Sequence, residues 1–174
     1  MDKSINTVFR YFYNKQYFIW VTIRTFFWSR LFKKFGRDSF IFGKVTVFYP
    51  ENVSFGSHSA LDEGVILHAK APIEIGDDVH MSPGVVLTTG SRQLDEAFPG
   101  RKRVAKPIKV GSGTWIATQA IILPGITIGE NSVVSANSLV DKDVPENAVV
   151  AGTPAKIVGY LPYRYGKNDK DRSN

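Results

Sequence analysis

From Val110 to Val144 the chain repeats itself every six residues. Val110, Ile116, Ile122, Ile128, Val134 and Val140 lie on one register. Four residues beyond each stand Thr114, Ala120, Ile126, Ser132, Ser138 and Val144, most of them small. A period of six fits neither the 3.6 of an α-helix nor the alternation of an ordinary strand. It fits a short strand and a corner, repeated, with one aliphatic anchor per strand turned inward. That is the hexapeptide pattern of a parallel β-helix. Coils of this kind stack at about 4.8 Å, and each touches only its neighbours. The fold class expected is therefore all-β.

The same rhythm starts earlier. Phe55, Leu61, Leu67 and Ile73 are in step; a two-residue slip then resets the register to Ile75, Met81 and Leu87. With three hexads to a coil, the slip places Leu61 below Met81 and Leu67 below Leu87. It also places the outward-facing His68 directly beneath Thr88. Residues 40–43 and 45–48 read as strands leading into the coils, and Asp77-Asp78 and Pro83-Gly84 as corners. After Leu87 the rhythm stops and resumes only at Ile108. Residues 88–106 are too many for a turn in a compact domain. They read as one long extruded loop, polar and basic, carrying Arg92, Arg101, Lys102, Arg103 and Lys106. Long loops on rigid scaffolds are where sites concentrate.

Residues 4–35 differ from everything after them. Aromatic residues crowd this segment, with Arg10, Lys15, Arg24, Arg30, Lys33 and Lys34 among them. A helical stripe runs through Phe9, Phe12, Tyr13, Gln16, Trp20, Ile23, Phe27, Leu31 and Phe35. Ser4 is the expected N-cap and Gly36 the residue past the C-terminus. The longest stretch without charge, Gln16 to Ile23, is far short of the roughly 20 residues that span a bilayer. No small-residue cleavage site follows an apolar run, so no cleaved signal peptide is expected. Two uses remain open. One is packing on the β-helix or on a neighbouring subunit. The other is peripheral contact with a membrane surface, aromatics in the headgroup layer and cations toward anionic lipid. The expected organisation is a helical segment at 1–37, a β-helix at 38–160 with 88–106 extruded, and a flexible tail at 161–174.

A length of 174 residues suits one domain with one core. The chain has no cysteine, which excludes disulfides and thiolate sites. A net charge of +6 favours anionic partners. No nucleic-acid motif accompanies it, and none is expected to bind.

The chain resembles the hexapeptide-repeat acetyltransferases with a left-handed parallel β-helix. Galactoside and maltose O-acetyltransferases and their surface-polysaccharide relatives are the nearest in kind. The motifs that carry the resemblance are Ile75-Gly76-Asp77-Asp78-Val79, Leu87-Thr88-Thr89-Gly90-Ser91, and Pro107-Ile108-Lys109-Val110-Gly111 with Trp115-Ile116. Pro124-Gly125-Ile126-Thr127-Ile128-Gly129 and Val149-Val150-Ala151-Gly152-Thr153-Pro154-Ala155-Lys156 complete them. The resemblance implies a cytoplasmic homotrimer, peripheral on the inner membrane face if the first helix meets lipid. Its sites would lie in clefts between subunits and use acetyl-CoA as co-substrate, with no metal. Trp115 matches the aromatic of that cleft. Thr118, Ala136, Asp141, Lys142 and Lys156 match cofactor contacts. The implied reaction is acetyl transfer to a hydroxyl of a sugar or glycan precursor.

One position departs from the pattern. The family's general base is a histidine at the start of the excursion, and the aligned residue here is Arg92. Arginine has no acceptor nitrogen and stays protonated, so it cannot take a proton. It can bind an anion or stabilise an oxyanion. Asp62 stands where the sugar enzymes usually have asparagine. The substitutes are His68, one coil below Thr88; Asp62 itself; or an acceptor amine that needs little base. His80, after the Asp77-Asp78 corner, reads as structural or interfacial. Two other function classes compete. One is a non-catalytic trimeric scaffold that has lost its base. The other is a zinc enzyme of the same fold, which would need three converging histidines; His58, His68 and His80 have the wrong spacing for it.

Overall fold

A computed structural model of the chain describes residues 3–92 and 102–162, with side chains from residue 16 onward outside the masked loop. It is a parallel β-solenoid of about five turns with one N-terminal helix. Three sheets run its length. Face one stacks Lys34–Phe35, Val53–Phe55, Ile73–Ile75, Ile108–Val110 and Thr127–Ile128. Face two stacks Phe40–Ile41, Ala60–Leu61, His80–Met81, Trp115–Ile116, Val133–Val134 and Ala148–Ala151. Face three stacks Thr46–Phe48, Ile66–His68, Val86–Thr88, Ile121–Ile122 and Leu139–Val140.

The hexad anchors form the core, and the slip is where the sequence places it. Leu61 pairs in register with Met81, Leu67 with Leu87, and His68 with Thr88. Ile41, Leu61, Met81, Ile116, Val134 and Val150 make one inward column, and Leu67, Leu87, Ile122 and Val140 another. All are essentially solvent-free. The corners need a left-handed backbone residue, and polar side chains supply it: Asp38, His58, Asp78, Asn131 and Asn147 at one corner column have positive φ. Buried hydroxyls bond the carbonyls these corners expose. Ser39 donates to Gly56 O at 2.7 Å, and Ser132 to Pro145 O at 2.8 Å.

The helix spans Lys3–Leu31, and Phe35 belongs to the first strand, pairing with Phe55. The expected stripe is not the face that packs. Val21 and Phe32 are buried and Trp28 is partly covered, whereas Trp20, Ile23, Phe27 and Leu31 are exposed. Thr25 Oγ1 accepts the N–H of Ile41 at 3.0 Å, satisfying the open edge of the first coil. The face chosen is the one whose small β-branched residues let the helix approach that edge. Ser4, Phe9, Phe12 and Tyr13, also part of the expected helix signature, lie outside the described side chains.

The extrusion is not wholly irregular. Its limbs, Gly90–Arg92 and Arg103–Ala105, pair antiparallel as a hairpin stem. Residues 93–101, the rest of the expected loop, lie outside the described residues, as does nearly all of the tail from 163. Lys156–Tyr160 folds back antiparallel on Ala148–Ala151 and covers the last coil.

Removing one inward anchor leaves a void that neighbouring coils cannot close. Leu87→Ala is expected to cost about 2–5 kcal/mol, read as a lower urea midpoint than that of a Thr127→Ala surface control.

Candidate functional site

The structure distributes the sequence candidates over two places. The first lies at the corner between faces three and one. Here Tyr49 and Lys70 leave successive coils and the hairpin departs from the next. Arg92 and His68 are brought together there, lining an open cavity of about 380 Å³ with Tyr49, Lys70, Ser91 and Arg103. Thr89 roots the hairpin: its buried hydroxyl accepts from Ala71 N–H and donates to His68 O, both at 2.9 Å. His68 is walled by the rings of Phe48 and Tyr49, at 5.5 and 6.0 Å between centroids. Its Nδ1 stands 3.5 Å from Thr88 Oγ1, at the limit of a hydrogen bond. With Lys70, Arg92 and Arg103 on one wall, this corner is suited to an anion.

The second place is face two. Asp62 is not brought to Arg92 and His68; its side chain lies on this other face. Its Oδ2 is 3.0 Å from Nε2 of His80. A carboxylate only accepts, so Nε2 carries a proton, and in the neutral ring Nδ1 holds the lone pair. Directly above His80 in the register stands Trp115. Its ring is half exposed, and its indole N–H donates to Ser82 Oγ at 2.9 Å. Four side chains on three successive coils thus form two parallel diagonal pairs, Asp62 with His80 and Ser82 with Trp115. The sequence reading of His80 as structural or interfacial named no partner for it; the structure pairs it with Asp62. Asp62 and His80 are eighteen residues apart, and the twenty-residue early coil sets them on diagonal positions of one face. That coil length is the signal that places the two residues on neighbouring positions; the contact itself is not in it.

The matched cofactor positions also divide. Thr118 and Ala136 are exposed on the corner between faces two and three. They belong to adjacent coils: the N–H of Asn137 bonds Thr118 O at 3.0 Å. Lys156 pairs with Ala151 at the upper end of face two. Asp141 and Lys142 lie instead where face three turns into face one. There Asp141 shares a cavity of about 510 Å³ with Arg92 and Lys106. His58 sits on an exposed corner between Asp38 and Asp78, at 3.8 and 3.7 Å. The three histidines occupy three different columns and do not converge. Among the described residues no group of histidine and carboxylate side chains is arranged to hold a metal ion.

Comparison with known proteins agrees with this architecture. Residues 107–142 match the family model described as bacterial transferase hexapeptide (six repeats). The chain is 30% identical to galactoside O-acetyltransferase of Escherichia coli K12 over 83% of its own length and 68% of that protein. It is 35% identical to the putative colanic acid biosynthesis acetyltransferase WcaF of the same organism, over 76% of this chain and 72% of that one. Among solved structures, a hexapeptide-repeat-containing acetyltransferase of Vibrio cholerae, complexed with acetyl coenzyme A, superposes with a TM-score of 0.76. It is 33% identical, with 80% of this chain and 77% of that one covered. Galactoside acetyltransferase in complex with coenzyme A gives a TM-score of 0.74 at 28% identity, covering 83% and 70%.

Proposed function

The chain belongs to the left-handed β-helix acetyltransferases of the hexapeptide-repeat family, and on that premise we propose that it moves the acetyl group of acetyl-CoA onto a sugar hydroxyl of a glycan precursor at an anionic membrane surface. The observation that carries the acetyl-transfer part is the edge of face two. Half-exposed Trp115 is followed along the solenoid by the small exposed residues Thr118 and Ala136, with Lys156 beyond them. Small side chains leave room for an extended pantetheine arm, and a cation at its end suits a phosphate. Asp141 and Lys142 are at a different corner of the same chain. A site shared between the subunits of a homotrimer would bring the two corners together. The sugar acceptor rests on likeness to galactoside and colanic acid enzymes.

The membrane part rests on the helix. With Val21, Thr25, Trp28 and Phe32 turned to the solenoid, Ile19, Trp20, Ile23, Phe26 and Phe27 face outward, all more than half exposed. Residues 3–37 hold eight of the 22 Lys and Arg and no Asp or Glu, so the rest of the chain is slightly acidic. An amphipathic, wholly cationic element with an aromatic face suits the headgroup layer. Among the described residues no helix is long and apolar enough to cross a membrane.

Two measurements test this. Calorimetry with acetyl-CoA is expected to show binding, weakened about tenfold, or roughly 1.4 kcal/mol, by Trp115→Ala and by Lys156→Ala. No binding at millimolar ligand would leave a trimeric scaffold, which Arg92 favours, as the better account. In sedimentation with phosphatidylglycerol vesicles the protein is expected to pellet, less so at high salt. Trp20→Ala with Phe27→Ala, or Lys33→Glu with Lys34→Glu, should leave it in the supernatant. Equal partition onto neutral vesicles would contradict the electrostatic part.

A further inference from the structure

We propose that His80 is the general base of this acetyltransferase, oriented by Asp62, and that face two has taken over the proton-accepting task that Arg92 cannot perform. The inference rests on the acetyl-transfer reading above and names the group that makes it chemically complete.

Geometry separates the three histidines. His58 lies at an exposed corner between two carboxylates, away from Trp115. His68 shares its cavity with Lys70, Arg92 and Arg103, and its near neighbour is a threonine at hydrogen-bond limit. Among the described residues, His80 alone of the three bonds a carboxylate at hydrogen-bond distance, 3.0 Å, and it sits next to the cleft aromatic, one coil below Trp115. Donation from Nε2–H to Asp62 fixes the tautomer, so the lone pair of Nδ1 faces outward on a ring about half exposed. Nδ1 has no partner among the described residues. A neutral imidazole with one nitrogen tied to a carboxylate and the other open is the arrangement a proton acceptor needs.

The step balances without further components. Nδ1 takes the proton of the acceptor hydroxyl as its oxygen attacks the thioester carbonyl. The new C–O bond forms, the C–S bond breaks, and the proton passes from the imidazolium to the departing thiolate of coenzyme A. Asp62 never touches the acceptor in this scheme; it holds the ring in place through the step.

The test uses full-length protein, acetyl-CoA, and 4-nitrophenyl β-galactoside with a panel of methyl glycosides as acceptors. Release of coenzyme A is followed with a thiol reagent, to which this cysteine-free chain adds no background. Calorimetry with acetyl-CoA comes first. If wild type does not bind it, the acetyl-transfer reading itself fails. If wild type binds, His80→Ala is expected to bind equally well yet lose at least about 100-fold in kcat, with added imidazole restoring turnover. Asp62→Asn should lower kcat by at least about tenfold at unchanged KM for acetyl-CoA. It should also move the His80 ring off the Nε2–H tautomer, seen in nitrogen NMR of the imidazole. His58→Ala should turn over like wild type. Full activity in a folded His80→Ala protein, a loss found in His68→Ala alone, a wild-type His80 ring protonated at Nδ1, or binding of acetyl-CoA without any release of coenzyme A would each overturn the assignment.

Discussion

Everything in this molecule depends on one coil lying in register on the next. Each inward side chain is packed above and below by another from the same column, and the backbone between them is bonded to both neighbours. Phe55, for example, lies between Phe35 and Ile75, fully buried, with its carbonyl accepting from Gly36. The register sets the outside as firmly as the inside, because successive residues of a strand point to opposite faces. Once Met81 is stacked between Leu61 and Ile116, His80 has no choice but to stand between Ala60 and Trp115. Chemistry on such a scaffold is decided by which residues share a column or a diagonal, not by which are near in sequence.

A stack of this kind has two open ends, and unpaired edges invite association. Both ends are closed by segments outside the hexad pattern. At the top, Lys156–Tyr160 returns antiparallel on the last strand. At the bottom, the helix lays Val21, Thr25 and Trp28 over the first coil with Phe32 just past its end, and the rings of Phe32 and Phe35 meet Phe55 at 6.3 and 5.2 Å. Among the described side chains of the helix, capping uses this one strip. A cap alone does not account for the aromatic density of the opposite strip, where Trp20, Ile23, Phe26 and Phe27 contribute nothing to the solenoid's core.

Where the residues repeat, the fold was legible. The hexad from Val110 and the two-residue slip between Ile73 and Ile75 suffice to place Leu61 under Met81 and His68 under Thr88, because the period allows only one stacking. The helix face was not legible. With Phe, Tyr or Trp on every side, hydrophobic periodicity cannot choose a strip, and the choice fell to Thr25 reaching an open N–H and to Val21 being small enough to lie close. The hairpin stem at Gly90–Arg92 and Arg103–Ala105 was not legible either, since its polar residues carry no alternation. Of the candidate site, the column containing Trp115 followed from the register. The Asp62–His80 contact did not, because it is diagonal and depends on two side chains leaning toward each other across a coil.

Arg92 changes what the hairpin corner can do. A histidine there could accept a proton and pass it on; a guanidinium holds its charge and offers only donors. Together with Lys70 and Arg103 it makes the corner a place of fixed positive charge. Such a corner is suited to holding an anion, and among its described lining residues it offers no carboxylate to orient the His68 ring. On face two the sign is reversed. His80 has the Asp62 carboxylate 3.0 Å from its Nε2, a partner that fixes how the ring is turned. With no acceptor nitrogen at position 92, the proposed proton transfer relies on the oriented ring of His80.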